Sequence, residues 1–96
     1  MAHVIVANWL ANPGEGDHVA EVLTRLTPGI RQEPKVLLFH AQRSVDDPDA
    51  FLMYEQYTDP SGYDDHKATA AFQEHVVGDL LPRLKARSVQ EFTTLD

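Results

Sequence analysis

Four stretches of the chain combine β-branched, aromatic and other apolar residues in the pattern of β-strands. They span residues 3–10, 35–43, 51–57 and 87–95. The acidic DDPD segment at residues 46–49 is a turn signal, so we predict that the second and third stretches pair as an antiparallel hairpin. The last stretch is rich in Ser and Thr and is the least strand-like of the four.

Helical spacing is found between these strands. The first helix is predicted by apolar residues three or four positions apart, namely Val19, Val22, Leu23 and Leu26. Asp17 is suited to cap its start, and Pro28 is expected to interrupt it. Asp59 precedes a proline, which predicts a short second helix over residues 60–67.

The helical region that follows is expected to be broken into short pieces. Thr69 can cap a helix over residues 70–77, and Gly78 can end it. Asp79 can then cap a final helical turn. The complete order, βαββααβ, predicts an α+β domain of the ferredoxin-like split βαβ type, in which helices cover one face of a four-stranded antiparallel sheet.

Residues of a strand alternate between the two faces of its sheet. On the first strand, one face carries Val4, Val6, Asn8 and Leu10. The other face carries Ile5, Ala7 and Trp9. Alternation does not say which face holds a cavity. Ile5 and Trp9 are too apolar to face water, so we expect a second copy of the chain to cover them, with Trp9 in a homodimer interface.

Composition narrows the range of partners. Ninety-six residues, of which 43% are hydrophobic, predict a single domain over residues 1–96. The net charge of −7 argues against nucleic acid or an anionic membrane as a partner. The absence of cysteine excludes disulfides and thiolate chemistry. An apolar strand stands at the N-terminus in place of a signal peptide, so a cytoplasmic protein is expected.

Four segments, in this order and spacing, resemble the antibiotic biosynthesis monooxygenase (ABM) family. They are the VIVANW strand with its Pro-Gly turn, the Glu33-Pro34 pair, the LMYEQYTD strand end, and the helical pair bearing His66, Phe72 and His75. The resemblance extends over essentially the whole chain. One departure is Lys35, where the family often has glycine.

The resemblance implies a homodimeric α+β barrel whose two sheets face each other, with a pocket in each subunit between sheet and helices. For some members it implies oxygenation of electron-rich aromatic polyketides or quinols by O2, without metal or flavin. Other members degrade haem or handle small signalling molecules. Three functions therefore remain open: a cofactor-free monooxygenase on a small aromatic substrate, a non-catalytic ligand-binding or regulatory module, and a haem-binding or haem-degrading protein.

A cofactor-free oxygenase needs a base and a group that holds the substrate oxyanion. His66 is the candidate base, although a structural histidine tied to the sheet through Glu55 is an equal alternative. Asn8 and Tyr54 are candidate oxyanion or orienting contacts. Further candidate substrate-binding residues are His40, Glu55, Tyr63, Phe72 and His75.

The haem alternative uses two of the positions that the resemblance marks for haem: His75 as the iron ligand and Asn8 on the strand. His66 and His75 can line one cavity only if the chain breaks near Thr69. The apolar stripe of Phe72, Val76, Leu80 and Leu84 leaves His75 on its outer flank, so an exposed His75 is expected. A protein metal site is not expected, because no HxH or HxxxH pair occurs and the acidic turn lacks the spacing of a calcium loop.

Overall fold

The computed structural model describes residues 1–96 and contains a four-stranded antiparallel sheet with helices on one face. The strands are β1 (His3–Ala11), β2 (Val36–Arg43), β3 (Ala50–Tyr57) and β4 (Leu84–Thr93). The helices are α1 (Gly16–Ile30), α2 (Pro60–Ala68) and α3 (Phe72–Leu80, of π type), and a 3₁₀ turn, Leu81–Arg83, follows α3. The predicted α+β ferredoxin-like arrangement is confirmed. None of the helices is long and apolar enough to cross a membrane.

The sheet order is β2–β3–β1–β4, so β1 is a central strand. In its register, Ala7 lies opposite Met53 of β3 and opposite Val89 of β4. The predicted β2–β3 hairpin is present, with Phe39 opposite Glu55. This pairing places side chains from all four strands on one face, where the helices pack.

The hydrophobic core lies between that face and the helices. Trp9 and Met53 from the sheet cluster with Val19 of α1 and Leu80 of α3, and all four are buried. Ile5 is fully buried as well. The expectation that Ile5 and Trp9 need a second chain to cover them was wrong. The alternation of side chains along a strand shows which residues share a face, but it does not show which face the helices cover.

The opposite face of the sheet, which we call the helix-free face, carries the other set of β1 residues. Val6 lies opposite Tyr54 of β3 and Gln90 of β4. Asn8 is exposed there, and Phe92 is 50% exposed. The helix-free face is therefore a mixed apolar and polar surface within one chain.

Helix α1 is longer than its sequence predicts. It begins at Gly16, one residue before the expected cap, and continues through Pro28. Pro28 is exposed, and the Arg31 N–H bonds to the Thr27 carbonyl oxygen at 3.1 Å beyond it. Since proline removes only its own donor, water can satisfy the carbonyl left free on the solvent side.

The predicted chain break at Thr69 is confirmed. The Thr69 hydroxyl donates to the His66 carbonyl oxygen at 2.9 Å and accepts from the Phe72 N–H at 3.1 Å. One side chain thus closes α2 and opens the next helical segment.

The predicted end at Gly78 was wrong, because α3 runs on to Leu80. Val76 and Leu80 are buried on either side of Gly78, and this packing outweighs the low helix propensity of one exposed glycine. Asp79 does not cap a turn, since its carboxylate accepts from His18 and Arg83 at 2.8 Å each.

Candidate functional site

A cavity of about 70 Å³ lies between the sheet and the helices. Twelve of its fifteen lining residues are hydrophobic, and Trp9 and Phe39 are among them. The three others are Glu55, His66 and Arg87. A largely apolar cavity with a few convergent polar groups is typical of a small-molecule site.

His66 is held by a carboxylate and by aromatic rings. It lies on α2 and is 5% exposed. Its Nδ1 is 2.9 Å from Oε1 of Glu33, and its ring meets that of Phe72 edge-on with centroids 5.1 Å apart. The partner of His66 is therefore Glu33. The alternative prediction, a structural histidine tied to the sheet, had named Glu55 in this role.

The Glu33 contact fixes the chemistry of the His66 ring. An ionised carboxylate only accepts hydrogen bonds, so Nδ1 carries the proton and donates. In the neutral ring Nε2 then keeps its lone pair. Nε2 has no hydrogen bond within the chain, and it is not fully buried. His66 lines the cavity, and a ring nitrogen with a free lone pair can take a proton from a guest molecule.

Glu55 is the second polar group of the cavity. It lies on β3, is 5% exposed, and accepts a hydrogen bond from the Tyr57 hydroxyl at 2.5 Å through Oε1. Burial raises the pKa of Glu55, and the charge of Glu33 adds to this effect, while Tyr57 and His66 oppose it. Oε2 has no partner in the chain and, like Nε2, is not fully buried. A carboxyl with a raised pKa can donate a hydrogen bond from this atom.

The phenol of Tyr57 stays neutral beside this carboxyl. Burial raises the pKa of Tyr57, and the charge of Glu55 raises it further. Tyr63 packs on Tyr57 with ring centroids 5.8 Å apart and also lines the cavity. Burial raises the pKa of Tyr63 as well, so it too remains a hydrogen-bond donor.

Four of the eight residues selected from the sequence line this cavity. They are Glu55, Tyr63, His66 and Phe72. Three others lie elsewhere: Asn8, Tyr54 and His40 share the helix-free face, where the Tyr54 hydroxyl accepts from Gln56 at 3.0 Å. Because the sheet lies between them and His66, one chain cannot bring Asn8 or Tyr54 to a guest of this cavity.

His75 also lies outside the cavity. It is on α3, its side chain is 33% exposed, and its Nε2 is 3.8 Å from the Glu74 carboxylate. The haem hypothesis requires His75 and Asn8 to contact the same haem. His75 is on α3, however, and α3 and the exposed Asn8 lie on opposite sides of the sheet. The residues present therefore do not fit a haem in the expected way. No cluster of three His, Asp or Glu side chains that could hold a metal ion occurs.

Sequence reasoning missed three residues of the site. Glu33 was noticed only as part of a family motif, and no periodicity links it to His66. Trp9 was placed in an interface. Arg87 comes from the strand with the weakest pattern, yet β4 places it opposite Trp9. Arg87 could have been found from the sequence only by predicting the register of β4 against β1, which pairs Arg87 with Trp9.

Comparison with known proteins agrees with this fold. A protein described as an antibiotic biosynthesis monooxygenase is 26% identical, with full coverage of both chains and a TM-score of 0.87. A Pseudomonas aeruginosa protein is 21% identical with a TM-score of 0.90, and the match covers 99% of this chain and 95% of that one. A Shewanella oneidensis protein is 24% identical with a TM-score of 0.86, and the match covers 95% and 88%.

A comparison with curated protein sequences gave no match. Residues 1–77 match the family model described as antibiotic biosynthesis monooxygenase. This range includes β1, the Glu33 segment, all of α2 and the first part of α3, and it covers most of the 96 residues. The chain belongs to the antibiotic biosynthesis monooxygenase family.

Proposed function

We propose that this protein is a cofactor-independent monooxygenase that oxidises a hydroxylated aromatic or quinol-type small molecule with O2. The observation that carries the proposal is the Glu33–His66 pair, which leaves Nε2 without a partner in the chain on a histidine that lines an apolar cavity together with Glu55. A base, a hydrogen-bond donor and exclusion of water are the three things that such a reaction needs from a protein.

The reaction begins with a proton transfer. Nε2 of His66 removes a proton from the bound substrate, and the Glu33 carboxylate stabilises the imidazolium that forms. The resulting anion supplies electrons to O2, while Oε2–H of Glu55 donates to the developing oxygen anion. For a ring CH₂ group, one oxygen atom becomes the new carbonyl and the other leaves as water with both hydrogens. The substrate thus provides all the electrons, and no further reductant is needed.

Oxygen uptake tests this function. With a panel of anthrones and hydroquinones, we expect the protein to consume one O2 for each anthrone ring CH₂ converted to a carbonyl and one O2 for each hydroquinone converted to a hydroxyquinone, with one water released in each case. Spontaneous oxidation is measured in the same buffer without protein and subtracted. Uptake that equals this background for every substrate would end the proposal.

A second candidate is a non-catalytic ligand-binding or regulatory module of the same fold. The inner cavity is only about 70 Å³, below the roughly 300–1,000 Å³ usual for ligand sites, so an aromatic substrate has little room to react inside it. Titration with the same compounds under nitrogen separates the two functions. Saturable binding without oxygen uptake in air would favour the binding module.

We also propose that two copies pair through their helix-free faces. Val6 and Leu52 on this face are only partly buried within one chain, and Phe92 is 50% exposed. A self-complementary pairing about a two-fold axis would cover all three on both copies. Asn8 and Tyr54 would then belong to the interface and not to the cavity.

A further inference from the structure

A second cleft lies between α1 and β2, which is an edge strand of the sheet. This α1–β2 cleft has a volume of about 370 Å³, within the range of roughly 300–1,000 Å³ that is usual for ligand pockets. Ten residues line it, and of these only Leu23 also lines the inner cavity. The cleft is therefore a separate space from the candidate active site.

The base of the cleft is apolar. Two buried core residues line it, Leu23 of α1 and Phe51 of β3. Ala20 of α1 and Ala41 of β2 line it as well, and both are partly buried. Because an alanine side chain ends at Cβ, these two residues leave room between the helix and the strand. The base can therefore cover the apolar part of a guest molecule and remove it from water.

The helical wall of the cleft offers a guest no hydroxyl donor. Thr24 and Thr27 line this wall, and their hydroxyls donate to the carbonyl oxygens of Ala20 and Leu23 at 2.7 Å each. A hydroxyl has only one hydrogen to donate, and here it is used within α1. The remaining polar side chains of the cleft are Arg31, Gln42 and Arg43.

Arg31 directly follows α1, and its guanidinium group is held in place. Nε and Nη2 both donate to the Phe39 carbonyl oxygen, at 3.1 and 2.9 Å, and Nη2 is 3.3 Å from Nδ1 of His40. Nη1 has no hydrogen bond in the chain, so both of its N–H groups are free to donate. Arg25 and Arg83 each pair with a carboxylate, whereas Arg31 pairs with none.

The charge of the second arginine of the cleft is already compensated. Nη2 of Arg43 donates to the Asp17 carboxylate at 2.8 Å, and Nε donates to the Pro48 carbonyl oxygen at 2.7 Å. The cleft thus holds one arginine paired with a carboxylate and one without. In a chain of net charge −7, a guest with a single negative charge fits this balance better than a phosphate dianion does.

We propose that the α1–β2 cleft binds a small monocarboxylic acid with an apolar body. The carboxylate of the guest accepts charge-assisted hydrogen bonds from Nη1 of Arg31, and the apolar body covers Leu23 and Phe51. Phe39 holds the Arg31 guanidinium before the guest arrives, so binding costs less side-chain entropy. This site is independent of the oxygen chemistry proposed for the inner cavity.

A charged probe and a neutral analogue test the proposal. 4-Phenylbutyrate is the probe, and 4-phenylbutanamide has a similar shape without the charge. Both are titrated into the full chain labelled with ¹⁵N, and binding is followed by NMR of the backbone amides. We expect a Kd below about 1 mM for the acid and binding at least about tenfold weaker for the amide. Equal binding of the two compounds, or no binding of the acid, would overturn the proposal.

The positions of the shifted amides locate the probe. We expect the largest changes at Ala20 and Ala41, which line the cleft and not the inner cavity. Largest changes at Glu55 and His66 would place the acid in the inner cavity and would refute binding at the cleft.

Arg31→Gln tests the partner of the carboxylate. The side chain is exposed, so the fold should tolerate the change. Affinity for 4-phenylbutyrate should fall about tenfold, to that of the amide, while affinity for the amide should stay within about twofold. Arg25→Gln is the matched control, because Arg25 is an exposed arginine of α1 that does not line the cleft. Unchanged binding of the acid by Arg31→Gln would contradict the proposal.

Ala41→Leu tests the space in the cleft. The larger side chain occupies the volume beside Phe51, so both compounds should bind about tenfold more weakly, in contrast to the selective effect of Arg31→Gln. The amide spectrum of the free variant shows whether its fold is retained. A folded Ala41→Leu protein that binds both compounds as the wild type does would show that the cleft is not the site.

Discussion

Glu55 is the residue whose ionisation most directly reports the environment of the cavity. Burial raises its pKa above the usual value of a glutamate, so the folded state holds this proton more tightly than the unfolded state does. The stabilisation is complete below the unfolded pKa and is lost as the pH rises through the folded pKa. We therefore expect the free energy of unfolding to fall over that window, by at most about 1.4 kcal/mol per pH unit for one proton.

Glu55→Gln should remove this contribution. The amide oxygen can still accept from Tyr57, so the fold is retained, and the variant should be the more stable protein above the window. Urea unfolding at a series of pH values from 4 upwards measures the difference. Parallel pH profiles for the two proteins would show that Glu55 is not buried in the way described.

At the residue scale, the sequence led to His66 but not to the arrangement around it. The histidine stood out because a short capped helix and a family resemblance both marked it, and it does line the cavity. Its partner Glu33 is a tertiary contact across 33 positions, and no local pattern encodes such a contact. Asn8 and Tyr54 were selected by residue type. The alternation of side chains along a strand places both on the helix-free face, away from the cavity.

At the scale of elements, the junction between α2 and α3 depends on one hydroxyl. Thr69→Ala removes the acceptor for the Phe72 N–H and the donor to the His66 carbonyl, so the free energy of unfolding should fall by about 1 kcal/mol. Thr24→Ala is the control, because its hydroxyl bonds only to the Ala20 carbonyl within α1. Urea unfolding should show a loss in the first variant alone, and equal stability of the two would contradict the capping role.

Most elements could be predicted because their signals are local. The turn at residues 46–49 and the cap at Asp59 gave the hairpin and α2 to within about a residue. The type and length of α3 could not be predicted, since a buried stripe through Val76 and Leu80 is compatible with an α-helix or a π-helix. Pro28 was misjudged because an exposed proline near a helix end removes only one donor.

At the scale of the whole molecule, the proposed pairing of helix-free faces gives a clear expectation. Sedimentation equilibrium should find a mass of two chains for the wild type. Leu52→Lys places like charges on a surface that would meet its own copy, and should give single chains. Val77→Lys, on the exposed side of α3, should leave the mass unchanged. A wild type that sediments as one chain would exclude this pairing.

The sequence predicted a partner chain for the wrong reason. Trp9 and Ile5 were taken to need one, but both are buried within one chain, and Trp9 lies in the core cluster that α1 and α3 complete. The proposed pairing now depends on Val6 and Phe92 of the helix-free face, and their exposure can be recognised only once the covered face of the sheet is known. The burial of a face is a property of the assembled fold, and for this reason strand patterns alone could not decide it.

In the proposed function, His66, oriented by Glu33, is the base of an oxygen-consuming reaction. The most direct test compares oxygen uptake by the wild type with uptake by His66→Gln and by His75→Gln, using an anthrone that the wild type oxidises. We predict a loss of about 10²–10⁴-fold in kcat for His66→Gln and no change for His75→Gln, whose ring lies outside the cavity. Equal turnover by His66→Gln and the wild type would contradict the account.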